Sequence, residues 1–174
     1  MKHTLYFLTL LLFFGCAKSE EELPLPNILW ITSEDNSPIA GCYGDEFATT
    51  PNMDALAAEG FLYTHAYANV PVCAPARNTI LTGIYAISGG NQHMRSYKNR
   101  PEGKPFFAVF NSTISHESSI HKSIPNEDLR HSPEEVTLPP YHPDTPEMRH
   151  DWAQYYDKVE DLDNKIGEIL QERE

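Results

Sequence analysis

The chain is 174 residues long, enough for one domain or a portion of a larger one, and its 40% hydrophobic content permits a core. Its formal charge of −12 excludes nucleic acid as the main partner, because phosphate binding requires a basic surface. A polyanionic substrate would need a local cationic pocket inside this acidic protein.

Lys2 and His3 precede an apolar run from Leu5 to Phe14 that is too short to span a bilayer. The run ends in Phe13-Phe14-Gly15-Cys16, which resembles the lipobox of bacterial lipoproteins, with Phe13 where Leu is more usual. Residues 1–16 then read as a lipoprotein-type signal peptide, and residues 17–26, with Lys18-Ser19-Glu20-Glu21-Glu22, as a polar tether. The expectation is a lipid-anchored soluble body at the bacterial cell envelope; the alternative is a plain secretory signal and a secreted or periplasmic product. Lipidation of Cys16 leaves Cys42 and Cys73, which an oxidising compartment would allow to pair, although two cysteines do not make a disulfide framework. If Cys73 is catalytic, Cys42 is a small buried residue.

Asn27-Ile28-Leu29-Trp30-Ile31-Thr32 is a continuous apolar run that predicts a strand buried on both faces, as in a parallel sheet covered by helices. It leads into Ser33-Glu34-Asp35-Asn36-Ser37-Pro38. Adjacent carboxylates at the C-terminal end of such a strand sit where open α/β sheets place ligands, and hard oxygen donors suit Ca²⁺ or Mg²⁺. A solvated polar turn is the alternative. Residues 50–60 predict a short helix, with Pro51 near its start, an apolar stripe of Met53, Leu56 and Ala57, and Gly60 as its stop. Phe61 to Ala68 alternates loosely and is expected to be extended.

Cys73-Ala74-Pro75-Ala76-Arg77 predicts the start of a helix that runs through Ile80 and Leu81 and stops near Gly83. Cys73 then sits at a helix N-terminus, where free N–H groups and the macrodipole favour an anion. Arg77, one turn on, points a fixed cation toward the same end. A buried cysteine in an ordinary loop-to-helix junction is the competing reading. After a turn-rich stretch through Asn99-Arg100-Pro101-Glu102-Gly103-Lys104-Pro105, Phe106 to Asn111 predicts a second strand. Its polar end reaches His116, expected at the same sheet edge as Asp35.

His116 and His121 are five apart, so the i, i+4 spacing of a zinc-protease helix is not met. His131, His142 and His150 read as surface residues, and Asn111-Ser112-Thr113 as a glycosylation sequon of little meaning in a bacterial lipoprotein. The proline-rich segment from Asn126 to Pro143 predicts irregular surface chain. Asp144 and Glu147 then suggest a capping box. Met148, Trp152, Tyr155, Tyr156, Val159, Leu162, Ile166, Ile169 and Leu170 follow at helical spacing, predicting a long amphipathic helix packed on the sheet, its aromatic residues in the core. The sum is an α/β protein with a mostly parallel sheet flanked by helices.

Taken together, Asn27-Ile28-Leu29, Glu34-Asp35, Thr50 to Ala57, and Cys73-Ala74-Pro75-Ala76-Arg77 with Leu81-Thr82-Gly83 strongly resemble the type I sulfatases of the alkaline-phosphatase superfamily. Pro105-Phe106-Phe107 through His116, Leu138-Pro139-Pro140-Tyr141, and Asp144 through Leu170 look most like heparan N-sulfatase-like members. The resemblance implies a maturase that oxidises Cys73 to formylglycine, whose hydrate attacks sulfur and later expels sulfate. It implies a Ca²⁺ ion with Glu34, Asp35 and the modified Cys73 among its ligands. Arg77 would orient the hydrate, and His116 would polarise or protonate near the leaving group.

This sequence also departs from the family. Glu34 stands where Asp is usual, and Ala76 and Asn78 stand where the modifying enzyme meets small hydroxyl or Ala residues. Between Tyr97 and Lys98 the family carries a longer segment with its catalytic lysine, a role that Lys104 does not inherit. Further Ca²⁺ ligands lie in family segments that the resemblance places after Glu174. Residues 27–174 therefore read as an incomplete, internally deleted sulfatase catalytic domain that keeps the nucleophile half of the site. The implied substrate is a sulfated glycan, with N- or O-sulfated glucosamine first. A phosphonate or phosphate monoester hydrolase of the same superfamily, and an anchored non-catalytic glycan-binding remnant using Arg77, Arg95 and His116, are the alternatives.

Overall fold

A computed structural model of the chain describes residues 24–83 and 105–172. The lipobox with Cys16, most of the tether, Arg95, Lys104 and the Tyr97–Lys98 junction lie outside the described residues. Two strands, β1 (Ile28–Ser33) and β2 (Phe107–Ser112), pair in parallel with Ile28 opposite Phe107 and Ser33 opposite Ser112. Because the strands end level, the chain that follows each one arrives at a common edge. Glu34 and Asp35 thus meet Ser115 and His116.

Among the described residues each strand has one neighbour, and Ile28 and Trp30 are 43% and 41% exposed. The expected burial of β1 on both faces is not met, because a two-stranded sheet with one partly covered face leaves alternate side chains open. Phe61 to Ala68 forms no ladder and is exposed.

Helix α1 (Pro51–Glu59) follows the predicted bounds, with Pro51 in its first turn and Gly60 just after it. Its cap residue Thr50 makes no side-chain bond to the helix N-terminus. Asp163 does so instead, from helix α3 (Pro146–Gln171): its carboxylate accepts from Asn52 N at 3.0 Å, Met53 N at 2.8 Å and Asn52 Nδ2 at 2.8 Å. Gly167, one turn further along α3, makes this approach possible; a Cβ there would meet Asn52 Oδ1 at 2.6 Å.

The stripe of α3 is buried as its periodicity requires, from Ala153 and Tyr156 through Val159 and Leu162 to Ile166. It packs on Ile39, Val136, Phe47, Met53 and Leu138, away from the sheet surface where the sequence had it docking. The cap also differs. Thr145, with Pro146 behind it, accepts from Met148 N at 3.3 Å, while Asp144 is held by Arg149 through two hydrogen bonds of 2.5 and 2.8 Å.

The three histidines read as surface residues are not exposed. His131 is buried against α3: its backbone N–H and its ring Nδ1 both donate to Asp157 Oδ1, at 3.0 and 2.7 Å. His150 Nε2 bonds the Ile124 carbonyl at 2.7 Å, and half-buried His142 accepts from the Trp152 indole at 3.2 Å. The segment from 126 to 143 is irregular as expected, apart from one short 3₁₀ turn, but Leu129, His131, Val136 and Leu138 pack into the core. Polar groups on α3 satisfy its backbone, which is what irregular chain requires to be buried.

Candidate functional site

Helix α2 (Cys73–Thr82) begins at the cysteine and ends at Gly83, whose φ of 70° and N–H to the Thr79 carbonyl form a left-handed stop. Cys73 is its first residue and Arg77 lies one turn on. Across from it, Asp35 adopts a left-handed backbone, with φ 55°, as the chain turns sharply off β1. Such a conformation in a residue other than glycine is uncommon. The surroundings hold it: Asp35 Oδ2 accepts from Glu117 N at 3.0 Å, and its carbonyl accepts from the Tyr155 hydroxyl at 2.8 Å.

The sharp turn sends Glu34 inward. Its side chain is 6% exposed and forms an ion pair with Arg77. Asn111 Nδ2, from β2, donates to Glu34 Oε1 at 2.9 Å, and Thr32 Oγ1 holds that amide by donating to Asn111 Oδ1 at 2.9 Å. The fully buried Ser115 hydroxyl donates to the Glu34 carbonyl at 2.5 Å, with Asn36 Oδ1 equally near. Asn111 and Ser115 therefore belong to the site, although sequence reasoning had passed over both. Position alone could have flagged Asn111, which ends a strand that runs alongside β1.

A Glu34 carboxylate oxygen, the Cys73 sulfur and a His116 ring nitrogen all lie within 4.8 Å of one another. Nδ1 of His116 is engaged by Ser118, accepting from its N–H at 3.2 Å, and Nε2 faces Asp35 Oδ2 at 3.7 Å. Four of the residues singled out from sequence, Glu34, Cys73, Arg77 and His116, thus converge. Asp35 stands at the edge of the group, its carboxylate turned to Glu117 and His116. Glu34, Asp35, Cys73 and Arg77 line a cleft of about 460 Å³ between the β1 end and α2, and His116 lies outside that lining. Cys42 and Cys73 are both free thiols. Cys42 lies elsewhere, half-buried, and burial followed by the Asp54 carboxylate raises its thiol above the ordinary value.

The arrangement offers a half-buried sulfur at a helix N-terminus, a guanidinium, an imidazole and two carboxylates. Cation and anion sites are adjacent. The donor chemistry suits calcium, but Glu34 and Asp35 with their oxygen neighbours supply only part of the six to eight oxygens calcium takes. An ion there would also have to compete with Arg77 for Glu34.

A family model described as Sulfatase matches residues 26–107, which include β1, Glu34, Asp35, Cys73 and Arg77. An ulvan-active sulfatase of Formosa agariphila is 24% identical over 254 residues, covering 92% of this chain and 43% of that protein. Human iduronate 2-sulfatase is 33% identical over 123 residues, covering 67% of this chain and 22% of its own length. Human N-acetylgalactosamine-6-sulfatase is 40% identical over 76 residues, covering 41% and 15%. The chain thus spans less than half the length of these relatives, and no solved structure matches it. The matched segment is the one that carries the cysteine corner and the acidic strand end, and the chain belongs to the type I sulfatase family.

Proposed function

We propose that this chain carries the nucleophile half of a sulfate-ester hydrolase site that acts on a sulfated glycan. The observation that carries the reading is the approach of Glu34, Cys73 and His116 to within 4.8 Å beside Arg77. In this reading Cys73 is the residue converted to formylglycine by a maturase. Formylglycine, as its hydrate, supplies an oxygen nucleophile for sulfur and a second oxygen that re-forms the carbonyl as sulfate departs. Calcium supplies positive charge against the sulfate oxygens, and Glu34 and Asp35 would hold it beside residue 73.

The chain's own side chains do the rest. The α2 N-terminus and Arg77 hold the negative charge that gathers near residue 73. With Nδ1 accepting from Ser118, Nε2 of His116 is the nitrogen that faces the site. It can carry a proton toward the leaving oxygen. Asn111 and Ser115 fix the acidic turn.

The alignment with the Formosa protein runs over 254 residues yet takes in only 92% of this 174-residue chain. That relative therefore carries internal residues without a counterpart here, which supports the deletion read between Tyr97 and Lys98. With the calcium shell partial and the family's catalytic lysine unmatched, we expect little or no turnover from the chain alone. A non-catalytic remnant is the second reading, favoured by Arg77 being tied to Glu34, which leaves neither side chain free for a sulfate or an ion. We further propose that Cys16 anchors the protein to the cell envelope. Cys16→Ser should then release it from the membrane fraction.

The test is intact-protein mass spectrometry after co-expression with a formylglycine-generating maturase. The sulfatase reading expects the mass decrease of thiol-to-aldehyde conversion, absent in Cys73→Ser; an unmodified wild-type chain removes the nucleophile and sinks it. A panel of N- and O-sulfated glucosamines and phosphate esters, with the same preparation, tests the rest. Hydrolysis of any sulfated member would overturn the expected inactivity, and turnover of phosphate esters alone would favour the phosphohydrolase alternative.

A further inference from the structure

A second cleft, of about 370 Å³, lies on the other side of the acidic turn and shares Asp35 with the reactive cleft. One wall is aromatic. Trp152 packs edge-on against Tyr155, with ring centroids 5.7 Å apart, and against His142 at 5.8 Å; Tyr141 stacks edge-on behind His142. The indole N–H is spent on His142 and the Tyr155 hydroxyl on the Asp35 carbonyl. Their remaining surface is therefore apolar and fixed in place. Sequence periodicity assigns this aromatic group to the core: Tyr156 is buried there, and Trp152 and Tyr155 pack against it but are only half-buried, so that they also line the cleft.

The rim of the cleft is acidic. Asp35, Glu117 and Asp151 line it, and among the described residues no lysine or arginine does. An aromatic face beside hydrogen-bond acceptors suits a sugar ring, whose C–H face packs on the aromatic wall while its hydroxyl and amino groups donate to carboxylates. Of these, Glu117 and Asp151 repel a ring that carries a carboxylate of its own.

We propose that this cleft is a subsite for a sugar ring of the glycan, and that its acidic rim selects a hexosamine over a uronate. The inference rests on the sulfatase reading for the sulfate, but the ring site stands on its own geometry. Tyr155 links the two, because the aromatic wall and the left-handed Asp35 turn share its hydroxyl bond.

The test is equilibrium binding to the full chain by saturation-transfer NMR and calorimetry, with glucosamine, glucosamine 6-sulfate and glucuronic acid as probes. Both glucosamines should bind at least tenfold more tightly than glucuronic acid. Glu117→Gln with Asp151→Asn should erase that preference. Trp152→Ala should abolish ring binding, and because its half-buried site makes folding uncertain, Tyr141→Ala, at a 75% exposed position, should weaken it severalfold. Equal affinity for the three sugars, or glucosamine affinity unchanged in Tyr141→Ala, overturns the proposal. Hexosamine binding by a chain whose Cys73 stays unmodified upholds the subsite and overturns the sulfatase reading. A modified Cys73 without ring preference does the reverse.

Discussion

At the scale of single residues, the Glu34–Arg77 pair is asymmetric. Glu34 is 6% exposed on its side chain and Arg77 33%, so losing the cation strands a buried carboxylate, whereas losing the carboxylate strands only the buried Nη1 end of a guanidinium whose remainder water can reach. Arg77→Ala should therefore cost about 3 kcal/mol in urea denaturation, and Glu34→Gln clearly less. Equal costs would mean that Glu34 is solvated. Tyr156 gives a second residue-scale prediction. Burial, together with the Asp45 carboxylate that its hydroxyl meets at 2.8 Å, raises its phenol well above the ordinary value. Since the folded state holds the proton more tightly, this contribution is fully present below about pH 10 and is lost as pH rises through the folded value. Thermal melts between pH 8 and pH 11 should fall more steeply for the wild type than for Tyr156→Phe.

At the scale of elements, α1 depends on a residue more than a hundred positions away. Asp163 accepts from two N–H groups at the α1 N-terminus and sits where the macrodipole favours negative charge. Asp163→Ala should cost about 2 kcal/mol, measured by chemical denaturation, because it leaves half-buried donors without a partner. Gly167→Ala should also destabilise, although alanine is the better helix former by about 1 kcal/mol, since its Cβ would displace Asn52. A stabilised Gly167→Ala would show that the two helices can part at little cost. Periodicity sufficed to locate α3, and the motif prolines and glycines sufficed for the starts and stops of α1 and α2. The cap of α3 was misassigned because Asp144 and Thr145 both suit the role, and only the position of Arg149 decides which is free. The burial of His131 was invisible for a similar reason: its partner, Asp157, is on another element.

At the scale of the whole molecule, the parallel pair is the least covered part of the described structure. Ile28, Trp30 and Phe107 are each more than 40% exposed. Apolar patches of this kind drive association. Sedimentation of the purified chain should show concentration-dependent association, reduced by Trp30→Lys; a monomer throughout would mean that other parts of the chain cover this face.

The sequence by itself determined the family, the bounds of α1 and α2, the cysteine at a helix N-terminus and the acidic strand end. Each of these is a local matter: proline and glycine fix the backbone where they stand, and hydrophobic spacing records which face turns inward. Only the tertiary structure decided that the strands end level, that the left-handed turn at Asp35 drives Glu34 onto Arg77, and that Asn111 and Ser115 brace it. It also divided the aromatic run of α3 between core and cleft. Side chains with equivalent spacing meet different neighbours, and those neighbours come from parts of the chain whose approach no local pattern encodes.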